Sequence, residues 1–481
     1  MFATQPDNMR SFGAFGLAAR NLGVAALLLS APLLLSAPLW AVPLTSEELA
    51  KLGLNGTELT PIGAIRAGNA EGTIPEWKYE HLPVPAGFKP GDHHPDPFSA
   101  DQVLFTITKD NYQQYASKLS PGQIKLFEVI PGYKMNIYPS RRSAVYEERF
   151  YTAALANAKT AEVVVSGNQI GFKNASIAWP FPIPKDGNEA IANALTRPLP
   201  SWINFWDNTA ATTANGSYEV NKLSVQIHWT YGDPANATES FDPSAPGTGY
   251  GYFQTITAPV KQAGQVLLAH DPITYTANLR QAWQYNPGQR RVKRAPQINY
   301  AYPFPGSSGL MTVDSGYGYN GPNDRFEWKL EGLVEKYVPY NSYKLHSGDI
   351  KVADIITKEG RLNQDLARYE LHRVWKLTGT LREGTSHIYG YRELFLDEDS
   401  WWVLLADNYD RRAELWRPIE LHTVNLYDAQ TMFYTLLDSY DLQSGRMMFM
   451  GLDNEDPGPD MSWRADDSYF SPGSIRAQGT R

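Results

Sequence analysis

The feature that most constrains the fold is a run of short strand-like segments that begins near residue 218 and continues to 452. Strands are expected at 218–231, 251–260, 265–271, 279–285, 290–294, 326–337, 370–381, 387–396, 401–408, 414–426, 432–439 and 446–452. Their connections are short. Asn286, Pro287, Gly288 and Gln289 close one hairpin, and Asp397, Glu398, Asp399 and Ser400 close another. Strands joined this tightly pair antiparallel, because a parallel neighbour needs a long crossover. A sheet of so many strands curls or closes instead of staying flat. Its inner face then requires either a filled core or a ligand.

Composition supports this reading. Thirteen Trp, 28 Tyr and 19 Phe stand beside only 20% charged residues, and aromatic side chains suit a pleated, half-buried surface. At 481 residues and 42% hydrophobic, the chain has ample material for a large core. The net charge of −8 argues against a nucleic-acid partner, since phosphate binding needs a positive face. Cysteine is absent, which removes disulfides, thiolate catalysis, Cys-ligated metals and the acylated cysteine of a lipoprotein.

The first segment carries Arg10 and Arg20, then an uncharged apolar run over 22–40. Such a pattern is expected to be a secretory signal over 1–41, cleaved near Ala41, with an uncleaved membrane anchor as the alternative. The expected location is the periplasm.

A second constraint lies at 179–199. Pro180, Pro182 and Pro184 hold an extended rod from which Trp179, Phe181 and Ile183 project. Asp186 and Glu189 can cap a helix expected over 188–196, which Arg197 and Pro198 end. Three apolar groups on a rod against a helix suit a lid over an apolar cavity; a rigid core connector would look the same.

The run Pro180, Phe181, Pro182, Ile183, Pro184, Lys185, Gly187, Glu189, Ala190, Ile191, Asn193 and Arg197 resembles the signature of a family of Gram-negative envelope proteins. That family is the domain of unknown function 1329, often labelled outer membrane lipoprotein-sorting protein. Three further stretches agree with it: 282–296 (from Ala282 and Trp283 to Pro296), 337–343 (Tyr337 to Tyr343) and 368–375 (Arg368 to Trp375). The chain departs from the usual pattern at Trp179, where a small residue is common, and over 192–199, which is less aromatic. The resemblance implies an α+β, β-dominated fold: a large curved antiparallel sheet, a half-open β-barrel like that of lipoprotein carriers. It implies no established reaction. It also implies a lipid-like ligand and an inner-membrane efflux-type transporter or an outer-membrane protein as partner.

Taken in order, the expected organisation is a signal over 1–41, an N-terminal helical and irregular wrap over 42–142, the sheet with its helical lid over 143–452, and a polar tail over 453–481. In the wrap, Trp77, Tyr79 and Phe88 are expected to anchor an otherwise aperiodic stretch, and helices are expected near 108–127 and 143–156. Asp92, His93, His94 and Asp96 could bind a metal, or be solvated side chains of a proline loop.

The expected ligand-binding residues are Trp179, Phe181, Ile183, Trp283, Tyr285, Trp328 and Trp375. Arg290, Arg291, Lys293 and Arg294 are expected to contact an anionic headgroup or an acidic partner, or else to guard an edge strand with charge. His372, His387 and His422 fall in successive sheet segments, which raises a three-His metal site, although they can point to different faces and no carboxylate sits at a characteristic spacing; Asp397, Glu398 and Asp399 could take calcium, or form an acidic hairpin turn. No nucleophile elbow, phosphate loop, dinucleotide fingerprint or zinc-helix motif occurs. The expectation is a periplasmic binding or carrier protein for a lipid-like ligand, without cofactor, metal or catalytic residues. A secreted glycan-active hydrolase or lyase is the alternative, because Trp and Tyr platforms also bind sugar rings. A structural envelope protein without a ligand is the third reading.

Overall fold

The computed structural model describes residues 44–234, 249–276 and 278–479. The expected signal over 1–41 lies outside them, and among the described residues no helix is long and apolar enough to cross a membrane.

The protein is β-dominated. In chain order its strands are β1 (Phe105–Ile107), β2 (Met135–Ile137), β3 (Glu162–Ser166), β4 (Gln169–Lys173), β5 (Trp202–Trp206) and β6 (Thr209–Ala211). There follow β7 (Val220–His228), β8 (Tyr250–Ala258), β9 (Val266–Asp271), β10 (Gln281–Asn286), β11 (Arg291–Arg294) and β12 (Phe326–Pro339). The last six are β13 (Tyr369–Leu381), β14 (Tyr389–Asp397), β15 (Val403–Asp410), β16 (Leu415–Leu426), β17 (Thr431–Asp441) and β18 (Arg446–Met450). Sixteen of them form one sheet, ordered from β12 and β13 through β18, then β6, then β7 to β11. β5 also pairs with β7, the short antiparallel pair of β1 and β2 joins the end of β13, and among the described residues the sheet does not close into a barrel. Among the described residues every pairing between these strands is antiparallel except the single parallel contact of Tyr369 with Ile137.

Both faces of the sheet centre are covered, so β17 is buried along its whole length. Its residues and their neighbours divide between two cores. The main core holds Val374, Leu377, Phe433, Leu437 and Met448 with Trp179, Trp229 and Trp402. The second holds Leu371, Leu436, Met447 and Phe449 with Leu126, Phe127 and residues of β1 and β2.

Four helices matter here: α1 (Ser46–Lys51), α2 (Pro121–Val129), α3 (Glu148–Thr160) and α4 (Gly187–Leu195). Ser120 and Gln123 cap α2 reciprocally, with Pro121 at its first position. Asp186 caps α4 by accepting from the Asn188 and Glu189 amides, while the Glu189 carboxylate takes the Lys185 amide, one residue outside a capping box.

α4 covers the start of the sheet. Gly187 meets β12 so closely that a Cβ there would come within 2.5 Å of the Trp328 carbonyl carbon. The proline rod is pinned from its other side: at Gly63, which has φ 86°, a Cβ would overlap the Pro182 carbonyl oxygen at 1.8 Å. Asn193 bonds both backbone groups of Phe181, at 3.0 and 2.7 Å, and Asn157 donates to the Trp179 carbonyl.

The wrap is held by charge. Arg142 donates to both Asp399 oxygens, at 2.8 and 2.6 Å, and to the Ile65 carbonyl; Arg373 pairs with Glu398, which accepts the Ile65 amide. The acidic turn at 397–399 is thus a buried anchor for residues 65–66. At the other end of the chain, Phe470 and Ile475 are buried against Phe253, Leu268 and Tyr285.

A candidate ligand site behind Arg197

Along β8, Tyr250, Tyr252 and Gln254 point to one side, and on the paired strand β9 so do Leu267, Ala269 and Asp271. Together with Phe304, Val313 and Tyr317 from the segment before β12, they enclose a cavity of about 50 Å³. Its wall is mainly apolar, with its polar groups bonded to one another. Arg280 donates to Asp271 at 2.6 Å, Tyr275 donates to the same carboxylate at 3.1 Å, and Tyr252 donates to Gln254 at 2.7 Å.

Behind the Tyr317 ring lies Arg197. The guanidinium sits 3.9 Å from the centre of the Trp402 ring and 5.8 Å from that of Tyr317. It is 5% exposed; Nη1 donates to the Ala194 carbonyl at the end of α4, and Nε has no partner. Among the described residues no carboxylate lies within ion-pair distance of it. Burial brings its pKa down to about 10, so it keeps its charge at neutral pH. A buried cation without a counter-ion is costly, and the two rings supply only part of the compensation. Nearby, Asp207 accepts from Tyr434 at 2.6 Å while its second oxygen has no partner, and burial pushes its carboxyl up to about 7.

The residues singled out from the sequence fall elsewhere. Trp179 is fully buried between Tyr146 and Tyr151, at ring separations of 5.1 and 6.2 Å. Phe181 packs on Phe172, and Ile183 is half-buried in a crevice beside Leu44 and Glu189. Trp328 lies on Tyr319, Trp375 stacks on Trp401 at 5.7 Å, and Trp283 and Tyr285 join Phe253 and Phe470 under the tail. None of the seven lines the cavity. Of the four cations, Arg291, Lys293 and Arg294 are exposed on the edge strand β11, with Arg294 5.6 Å over Trp283. Arg290 stands in the turn before it with φ 51°, which removes it from the strand alternation.

The three histidines are separate, and His387 stands in the connection before β14 and not on a strand. His372 bonds Glu370 and stacks on Tyr340, His387 bonds Asp314, and His422 bonds Asp438. The last is part of a second buried group. Glu420 faces Asp438 across β16 and β17, accepts from Tyr133, Tyr369 and Gln123, and has its carboxyl raised by burial. Tyr133 and Tyr440 also line an open cleft of about 450 Å³.

The cavity is thus aromatic, and it is flanked by a buried cation that has no carboxylate partner among the described residues. The family follows from direct comparison. Residues 106–476 match the family described as Protein of unknown function (DUF1329), and the chain belongs to it. An uncharacterized protein of Pseudomonas aeruginosa is 41% identical over 440 residues, which are 91% of this chain and 94% of that one. Two solved structures are similar at low identity. One, titled as an outer membrane lipoprotein-sorting protein domain of Vibrio parahaemolyticus, is 12% identical with a TM-score of 0.40, covering 60% of this chain and 95% of that one. The other, a DUF1329 family protein of Desulfovibrio piger, is 13% identical with a TM-score of 0.39, covering 60% and 95%.

Proposed function

We propose that the protein is a non-enzymatic binding or carrier protein for a hydrophobic, lipid-like molecule that bears an anionic group. The observation that carries this reading is Arg197, a buried cation with no carboxylate partner among the described residues, one ring away from an aromatic cavity. A ligand phosphate or carboxylate would supply the missing counter-charge, and its apolar part would lie against Tyr250, Tyr252 and Phe304.

At about 50 Å³ the cavity has room for a few water molecules or methylenes, not a whole acyl chain. Loading therefore requires movement. Tyr317 is the residue placed for it, because it separates cavity from cation and has φ 55° between Gly316 and Gly318. The apolar run before Ala41 supports export, and the exposed cations of β11 support contact with an anionic surface or with an envelope partner such as an efflux-type transporter or an outer-membrane protein.

The test is a titration with a fluorescent long-chain fatty acid. Saturable binding that weakens at least ~10-fold in R197M, about 1.4 kcal/mol, is expected; equal binding by both proteins would remove Arg197 from the site. The glycan-active reading keeps one specific support, the Glu420 and Asp438 pair beside the open cleft. Glycan cleavage lost in E420Q would favour it.

A further inference from the structure

Two histidines of the proline loop pack against distant parts of the chain in an arrangement that hydrogen bonding within the protein leaves incomplete. His93 is half-buried, and its Nε2 donates to the Asp456 carbonyl at 2.9 Å. That fixes its tautomer and leaves Nδ1 as a lone pair, which is buried and has no partner. His94 is 2% exposed, and its Nε2 lies 2.8 Å from the Asp428 carboxylate, which likewise turns the Nδ1 lone pair inward. That Nδ1 is 3.2 Å from Nε2 of His346, at the end of the short helix Tyr343–His346. Beside them stands Asp453, just past β18, 5% exposed and with Oδ1 unpartnered. Donor atoms of His93, His346 and Asp453 all lie within 4.8 Å of one another, a trio to which His94 is joined only through His346.

A chain of hydrogen bonds from Thr435 through His346 and His94 to Asp428 would satisfy those four groups. It would leave His93 Nδ1 and Asp453 Oδ1 facing each other's neighbourhood without a partner. A cation held by His93, His346 and Asp453 gives both of these atoms a partner, and His94 Nδ1, beside His346 Nε2, is placed to join it as a fourth ligand. Two ligands held 2.0–2.1 Å from one ion in tetrahedral directions stand about 3.3 Å apart, close to the spacing of His94 and His346. Outer ring nitrogens bonded to a carboxylate and a backbone carbonyl are the arrangement that orients metal-ligating histidines. Imidazoles with one carboxylate and no thiolate suit borderline divalent ions of the first transition row, Zn²⁺ foremost.

We propose that His93, His94, His346 and Asp453 bind one divalent transition-metal ion, which ties the N-terminal wrap to the end of the sheet. The proposal is independent of the ligand reading at Arg197.

The test uses the full chain, dialysed against EDTA and then titrated with Zn²⁺ alone by calorimetry, with Co²⁺ absorption as a second probe. One Zn²⁺ per chain is expected, together with a rise in Tm and a visible Co²⁺ band. H93Q, at a half-exposed position, should keep the wild-type circular dichroism and lose both the Co²⁺ band and the Tm response. D428N should weaken Zn²⁺ binding ~10–100-fold, the usual cost of removing a carboxylate behind a ligating histidine. Zn²⁺ binding by folded H93Q as tight as by the wild type, or no tight Zn²⁺ binding by either, would overturn the proposal.

Discussion

Arg197 rests 3.9 Å above the centre of the Trp402 ring, and no carboxylate among the described residues is placed to neutralise it. This pairing decides what the Arg197→Met substitution should do. Removing an uncompensated buried charge stabilises, and losing its contact with a desolvated indole destabilises. The two effects are of similar size, so the melting temperature should correspond to a change within about 2 kcal/mol while amphiphile affinity falls. A collapse of the fold on calorimetry would show that Arg197 is structural.

The proline rod should behave as core. Phe181 is 8% exposed and bonded through its backbone to Asn193, and the rod packs closely on Gly63 at Pro182. Replacing Phe181 with Ser should cost about 3–5 kcal/mol, the range for deleting a buried aromatic, with or without ligand. Thermal unfolding that leaves the Tm unchanged, with altered ligand retention alone, would mean that the segment moves as a lid.

The sequence made much of this architecture legible, and the reasons are local. All twelve expected strands from 218 onward are present, because alternation and tight turns are properties of neighbouring residues. The start of α4 was readable from Asp186 and Glu189. β1 and β2 were not, since three-residue strands exist only through pairing across the chain with β13. β5 and β6 were hidden by the interruption at Asp207 and Asn208, whose side chains bond to Tyr434 and the Leu452 carbonyl. Tyr250 and Tyr252 could be placed on one strand face but not on a cavity. The isolation of Arg197 is a property of space that no spacing in the sequence encodes.

Asp207 gives a pH dependence. Burial raises its carboxyl from 3.8 to about 7, so between those values the folded protein holds a proton that the unfolded chain has lost. Stability from this group is therefore greatest below pH 4 and is lost as pH rises to about 7, at roughly 1.4 kcal/mol per unit. Asp207→Asn keeps an acceptor for Tyr434 and does not titrate. The wild type should lose stability relative to D207N between pH 5 and pH 8 in denaturant titrations; a constant difference would show that Asp207 is ionised throughout.

The edge strand β11 should contribute to association and little to folding. Changing Arg290, Arg291, Lys293 and Arg294 to Gln should leave stability within about 0.5 kcal/mol per site and weaken sedimentation with vesicles of anionic lipid. The loss should be largest at low salt, where exposed charges are least screened. Binding that is unchanged at low salt would leave these cations as guards of the sheet edge.

The central claim is tested most directly by native mass spectrometry of the protein purified from the cell envelope of its own host. The account predicts a mass shift from a bound amphiphile that carries an acidic group, released on unfolding and much reduced in R197M. A protein that is ligand-free under the same conditions, and that cleaves glycan through Glu420, would contradict it.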